Sequence, residues 1–367
     1  GMVSDGLPVF CRRPLVGYSL VALSTVATMI LGFGVWVHHM FATGLPGLGL
    51  SFFSGASIVI TVPSAIAVFA WLATIWLGRP VITTAFLFFS SMILLFVIGG
   101  VSGFMTASVP VDWQLTDTYF VVAHLHYVLI GINVFPVVGA AYFWFPKMFG
   151  RMLDERLGRW NFWVMFLGFN LAFLPMHLAG LLGMPRRIYT YGPHMGWTTL
   201  NVVISIGSFV FAIGVLLFFI NVIRSWRSGV VAASNPWDAP TLEWSVSSPP
   251  PSYNFAVIPT LGSRHPLWEG RLDEQGSVSS LDRGMLLDSG KETIGTTALD
   301  ATPDMILEMP ADSYAPVLLA LGVSIVFAGV LLKLWPAAVA GAVVTAAALL
   351  TWLWPRRDLR EREPAHG

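Results

Sequence analysis

Charge is what this sequence has least of. Asp, Glu, Lys and Arg together make up 11% of the 367 residues, with 20 basic side chains against 20 acidic ones. A soluble domain carries about 25% charged residues, so most of this surface is not built to face water. The formal net charge of zero leaves no electrostatic footprint for nucleic acid and no acidic tail. Cysteine is almost missing as well. With Cys11 alone, a disulfide framework and a Cys-cluster metal site are both excluded, and a lone thiol near an apolar start is expected to be inert. The opening residues Gly1 to Asp5 have no methionine at position 1 and no signal-peptide pattern, as expected of an excerpt from a longer chain.

What is present in excess is apolar sequence, 55% of residues. Runs long enough to span a bilayer, about 20 residues each, fall at 14–41, 51–77, 82–107, 118–147, 161–183 and 198–224. A polar segment rich in Ser, Pro, Asp and Glu follows over 225–312. Two further apolar runs lie at 314–334 and 337–354, inside a segment 313–355 that precedes the charged tail 356–367. The fold class expected is therefore an all-α polytopic membrane protein, with six core helices and two C-terminal ones. Placing the N-terminus in the cytoplasm gathers Arg12, Arg13, Arg79, Lys147, Arg151, Arg156, Arg159, Arg224 and Arg227 on that side, as the positive-inside rule asks. Segment 225–312, with its Pro249–Pro251 run, and the basic tail then lie in the cytoplasm as well. Only Arg186 and Arg187 break the pattern on the outer side of the first six helices.

Ionisable residues at bilayer depth are functional candidates by default. His38 and His39 end the first helix at its outer end. Adjacent residues differ by about 100° around a helix, so the pair can approach one centre only beside the helix end. His124 and His126 on the fourth helix are two residues apart and point about 200° apart, so they cannot share a metal but can each serve a different cofactor. Taken alone, each pair also fits a structural role, at an interfacial aromatic belt or bonded to a neighbouring helix. All four lie at similar depth, with Arg186 and Arg187 above them. Imidazoles suit copper, zinc or iron, and paired guanidiniums suit haem propionates.

These residues carry a resemblance. The segments Trp36–Phe41 (WVHHMF), Asp117–Tyr127 (DTYFVVAHLHY) and Gly183–Arg187 (GMPRR), with weaker echoes at Val68–Thr74 and Leu242–Trp244, are similar to subunit I of the haem–copper oxygen reductases, the cytochrome c oxidase family. The resemblance covers roughly residues 1–256, the last six helices of a twelve-helix core; 257–367 looks like a bacterial C-terminal extension. It makes 1–224 the haem- and copper-binding helices. It implies His38 and His39 as copper ligands, His124 as axial ligand of a high-spin haem, and His126 as ligand of a low-spin haem. It further implies Arg186, Arg187 and Asp112 at haem propionates and Asp117 at a magnesium site. The cofactors implied are two a-type haems, copper and magnesium. The implied reaction is reduction of oxygen to water, by electrons from cytochrome c or a quinol, coupled to proton pumping. The implied partners are the N-terminal half of subunit I, oxidase subunits II and III, the electron donor and membrane lipid. The implied location is a bacterial inner membrane.

Three departures matter. A third copper histidine, its linked tyrosine and a second low-spin haem histidine lie in family helices outside this sequence, so the isolated chain is expected to be inactive. A family lysine on a proton pathway is Ala67 here, although Ser54, Ser57, Thr61 and Ser64 form a hydroxyl stripe at helical spacing. The family's usual histidine before the magnesium aspartate is Thr116. His177 is expected to be structural, and His194, His265 and His366 solvated. A truncated, non-catalytic helical fragment and a transporter are the competing classes; the transporter lacks an inward-facing carboxylate or lysine for ion coupling.

Overall fold

The computed structural model describes residues 1–251, 254–255, 261–269, 292–300, 302–308 and 312–354; His366 lies outside them. The chain forms two compact units, one of Gly1–Pro249 with Ser263–Gly270, the other of Pro250–Gly262 with Arg271–Gly367.

The first unit is helical. It begins with α1 (Met2–Cys11) and α2 (Tyr18–Gly34), the latter running into a 3-10 turn over Trp36–Thr43. Helices α3 (Gly47–Val59) and α4 (Thr61–Leu77) form one span interrupted at Ile60, followed by α5 (Thr84–Thr106) and the short α6 (Val109–Leu115). Helix α7 (Tyr119–His126) continues through a π-helical stretch, Tyr127–Val134, into α8 (Phe135–Phe149). Helices α9 (Glu155–Leu181) and α10 (Thr198–Ser228) complete the bundle, and the four-residue α11 (Pro266–Glu269) lies in the segment after it. In the second unit, β1 (Glu292–Thr296) and β2 (Pro303–Glu308) pair antiparallel, Thr293 opposite Leu307 and Gly295 opposite Met305, and α12 (Ala315–Leu331) packs on α13 (Trp335–Leu353).

Seven helices among the described residues are long and apolar enough to cross a membrane. The eighth expected span, α12, is an apolar helix of 17 residues, at the lower edge of the crossing range. The polar segment expected over 225–312 differs in two respects. Helix α10 carries on to Ser228, because a helix of 31 residues, about 46 Å long, outruns the hydrocarbon layer. The segment also contains the β1–β2 hairpin, whose short strands leave little apolar alternation to read.

Helix starts follow capping chemistry. Thr83 accepts from Phe86 N at the start of α5, Thr118 from Phe120 N at α7, and Asp154 from Leu157 N at α9. Glu155 joins two of these starts, accepting from the backbone and hydroxyl of Thr84 at 2.9 and 2.8 Å. Between spans, residues 229–249 strap the end of the bundle that carries Lys147. Met152 N donates to Val230 O, Trp237 Nε1 to Phe143 O, and Lys147 Nζ to Val246 O. Arg12 pairs with Asp238 at 3.0 Å.

The core is aromatic, with Phe88, Phe89, Phe135, Phe143 and Phe169 fully enclosed, while the outward face is equally apolar: Phe33, Leu48 and Trp76 are more than four-fifths exposed. Since lipid tails are as apolar as the core, helices are held by close backbone approach and internal polar bonds. Tyr142, Asn161, Asn221 and Ser225 form such a network, with Asn161 also reaching Gly214 O on α10. Helices α9 and α10 touch so closely that a Cβ on Gly207 would overlap Ala172 N.

Gly207→Ala is therefore expected to lower the thermal unfolding midpoint in detergent, by overpacking worth about 1–3 kcal/mol. Gly32→Ala, where a Cβ meets nothing within 4 Å, is expected to leave the midpoint unchanged or slightly raised.

Candidate functional site

The 3-10 turn at the end of α2 brings His38 and His39 together, with ring centroids 4.5 Å apart and planes at 74°. A regular α-helix would splay them; the kink at Met40 and the bond from Trp113 Nε1 to Phe41 O hold the tighter turn against α6. His39 leans on Trp36, 4.8 Å between centroids. His38 Nδ1 lies 2.9 Å from Ser57 Oγ on α3, and that hydroxyl donates to Phe53 O at 2.6 Å. Its proton being so used, Ser57 accepts from His38, and the Nε2 of His38 keeps its lone pair.

His124 and His126 leave α7 in different directions, as their two-residue spacing requires. His124 Nδ1 is 3.0 Å from Gly99 O on α5. A carbonyl can only accept, so Nδ1 carries the proton and Nε2 is again the free donor atom. His126 Nδ1 donates to Val122 O at 2.7 Å, and its ring stacks on Phe173 of α9, 4.3 Å between centroids at 13°. His38, His39 and His124 line one cavity of about 900 Å³, together with Asp112, Thr116, Asp117 and Arg186. His126 and Arg187 are not among its lining residues.

The loop carrying Arg186 is pinned to the loop before α7 by a short antiparallel bridge. Thr118 faces Pro185, Tyr119 N donates to Met184 O at 2.9 Å, and Arg186 N donates to Asp117 O at 2.8 Å. Asp117 and Arg187 both adopt left-handed backbone, φ 59° and 65°, which non-glycine residues hold only when their surroundings enforce it. The Arg186 guanidinium pairs with the Asp117 carboxylate through Nε and Nη2. Arg187 is exposed. Asp112, on α6, is buried, and burial followed by the nearby Asp117 pushes its carboxyl up to about 6.

The hydroxyl stripe divides. Ser57, Thr61 and Ser64 line the histidine cavity, whereas Ser54 donates to Ala107 O. Thr61 also donates to the carbonyl of Ile58 in its own preceding turn. Ser64 borders a second cavity of about 440 Å³, where Ala67 sits with Ser24, Thr25, Thr28 and Asn133. The other histidines lie apart. His177 packs on Phe120 and Tyr127, and His194 is exposed. His265, expected to be solvated, instead packs near Trp268 with its Nδ1 buried, because α11 folds back to donate from Leu267 N to Pro240 O. The residues that sequence reasoning missed are Gly99, Ser102 and Gly103 on α5. Their signal was a cluster of small residues, Gly99 to Gly103, inside an otherwise bulky helix.

Residues 1–210 match the family described as "Cytochrome C and Quinol oxidase polypeptide I". The chain belongs to the haem–copper oxidase subunit I family. It is 41% identical to cytochrome c oxidase subunit 1 of Bacillus subtilis over 334 residues, 91% of this chain and 50% of that protein. It is 45% identical to cytochrome c oxidase subunit 1 of Alkalihalophilus pseudofirmus, over 76% of this chain and 45% of that one. Quinol oxidase subunit 1 of B. subtilis is 44% identical over 72% of this chain and 41% of its own length. The chain thus spans about half the length of these relatives. A heme-copper terminal oxidase dimer solved by cryo-EM matches with a TM-score of 0.54 at 20% identity, over 59% of this chain and 44% of that one, which shows a shared fold.

Haem and copper are the cofactors of this family, and the donor set here suits them. Metal-bound histidines characteristically donate their second ring nitrogen to a carbonyl or hydroxyl, as His38, His124 and His126 do. A Cβ on Gly103 would come 2.8 Å from His124 Cε1, so α5 is cut away where that ring lies. A magnesium ion at Asp117 does not fit equally well. One carboxylate oxygen, Oδ1, takes both Arg186 contacts, and Thr116 stands where the resemblance would put an imidazole.

Asp112 gives the site a pH signature. Between its ordinary value of 3.8 and about 6, the folded chain holds a proton that the unfolded chain has released, so this contribution to stability exists at low pH and is lost as pH rises through about 6. Asp112→Asn is expected to remove that loss, so that its unfolding midpoint gains on the wild type between about pH 4 and pH 6.

Proposed function

We propose that this chain supplies part of the catalytic subunit of a terminal oxidase that reduces oxygen to water, taking electrons from cytochrome c and coupling the reaction to proton translocation across a bacterial inner membrane. The observation that carries this reading is the division of the histidines: His38, His39 and His124 on one cavity, His126 turned to the other side of α7 against Phe173. In this reading His38, through Nε2, and His39 would hold copper, His124 would hold the iron of a high-spin haem in the shared cavity, and His126 would hold that of a low-spin haem. When bound, these metals supply the transfer of electrons to oxygen.

The chain's own residues orient and neutralise. Arg186 lines the cavity and places a guanidinium where propionates would carry charge. Asp112, protonated at mildly acidic pH, can donate a hydrogen bond to a propionate oxygen. Arg187, exposed on the strained turn, would meet a haem propionate on its own side. Ser64 and Thr61 offer hydroxyls for proton movement towards the cavity without an ammonium at position 67. Residues 1–224 and 313–355 span the membrane, and 225–312 and 356–367 lie on the cytoplasmic side. Oxidase subunits II and III and the remaining half of subunit I complete the assembly. The 44% identity to a quinol oxidase subunit supports a quinol as the alternative electron donor.

Reduced-minus-oxidised spectra of the assembled oxidase test the assignment. His126→Ala is expected to remove the low-spin haem band while leaving the high-spin one, and His124→Ala the reverse; loss of neither band from either variant would overturn it. The resemblance places a third copper histidine and a second low-spin haem ligand outside these residues. The 367-residue polypeptide expressed by itself is therefore expected to consume no oxygen at an oxygen electrode, and measurable uptake would contradict the ligand count.

A further inference from the structure

His124 has a second partner besides Gly99. Ser102, three residues on along α5, places its Oγ 3.1 Å from His124 Nδ1. The same Oγ lies 3.0 Å from Gly99 O and 3.1 Å from Ile98 O. A hydroxyl has one proton, and a carbonyl can only accept. The Ser102 proton therefore goes to Gly99 or Ile98, leaving a lone pair towards the Nδ1–H of His124. That N–H is consequently shared between two acceptors, the Gly99 carbonyl at 3.0 Å and the Ser102 hydroxyl.

A serine inside a helix commonly bonds to the preceding turn and does nothing more. Ser91, on the same helix, is such a case: it is buried and donates to Phe88 O. Ser102 differs because its oxygen also meets a ring from another helix. It is 4% exposed, and Gly103 beside it leaves the space that the ring occupies. The seat is built from both sides.

We propose that Ser102 is a positioning residue that sets how strongly His124 donates to the metal it binds. This rests on the reading of His124 as a haem ligand. Pulling on the Nδ1 proton gives the imidazole partial anionic character, makes Nε2 a stronger donor and favours the oxidised metal. Two acceptors pull harder than one. Ser102 thereby lowers the potential of that haem and fixes the rotation of the ring about its Cβ–Cγ bond.

The test uses the assembled holoenzyme and reads the iron–histidine stretching band of the reduced high-spin haem by resonance Raman, with its midpoint potential by redox titration. Ser102→Ala is expected to lower the stretching frequency and raise the potential, increasing the reduced-to-oxidised ratio at the wild-type midpoint by up to about tenfold. Ser102→Thr, which keeps the hydroxyl, is expected to return both to wild-type values, and Ser91→Ala to leave both unmoved. An unchanged frequency and potential in Ser102→Ala, or the same shift in Ser91→Ala, would overturn the proposal while leaving the haem assignment standing. An iron–histidine band that survives in the His124→Ala holoenzyme would instead overturn the assignment itself. Should Ser102→Ala fail to assemble, Ser102→Cys, a weaker acceptor of similar size, is expected to give a smaller shift in the same direction, and no shift would count against the role.

Discussion

The hydrogen bond from His124 to the carbonyl of Gly99, 3.0 Å long, is the contact around which the membrane core is organised. It crosses from α7 to α5 at bilayer depth, where polar groups must find their partners within the protein. Its formation requires α5 to present a carbonyl unobstructed by side chains, and it fixes which nitrogen of the imidazole is free. It also sets the rotation of α7 about its own axis. Once His124 faces α5, His126 must face α9, where Phe173 receives it.

Around that bond the helices are held by proximity more than by hydrophobic pressure. Glycines at the α9–α10 contact let backbones meet, and the Tyr142–Asn161–Asn221 network ties the same helices near one end of the bundle. At the other end, the bridge between Thr118 and Pro185 and the left-handed turns at Asp117 and Arg187 fix the loops over the cavity. The loop rim is thus pinned at one end of the cavity, and the imidazole of His124 is held from α5.

Much of this was legible in the sequence. The spans could be read from apolar runs of bilayer length, and the opposite facing of His124 and His126 from a two-residue spacing on a helix. The tight turn at His38 and His39 could not, because a 3-10 ending depends on contacts such as Trp113 with Phe41 rather than on local composition. The roles of Gly99 and Ser102 were hidden for the same reason: a serine and several glycines in an apolar helix read as packing until the partner helix is present. Arg186 and Arg187 read as an equivalent pair, yet the strained turn between them sends one to the cavity and the other outward. The hairpin at 292–308 was missed because its strands are short and show no alternation of apolar and polar residues.

Ala67 bears on how this protein enters its membrane. An ammonium at the centre of a spanning helix adds about 2.5–3.5 kcal/mol to the cost of insertion, and a helix bearing one often waits for neighbours to shield it. The span from Gly47 to Leu77 carries no charged residue at all. Its partition into lipid is therefore favourable by itself, independent of when the rest of the bundle arrives. With alanine rather than an ammonium at position 67, the insertion of this helix does not depend on the order of assembly.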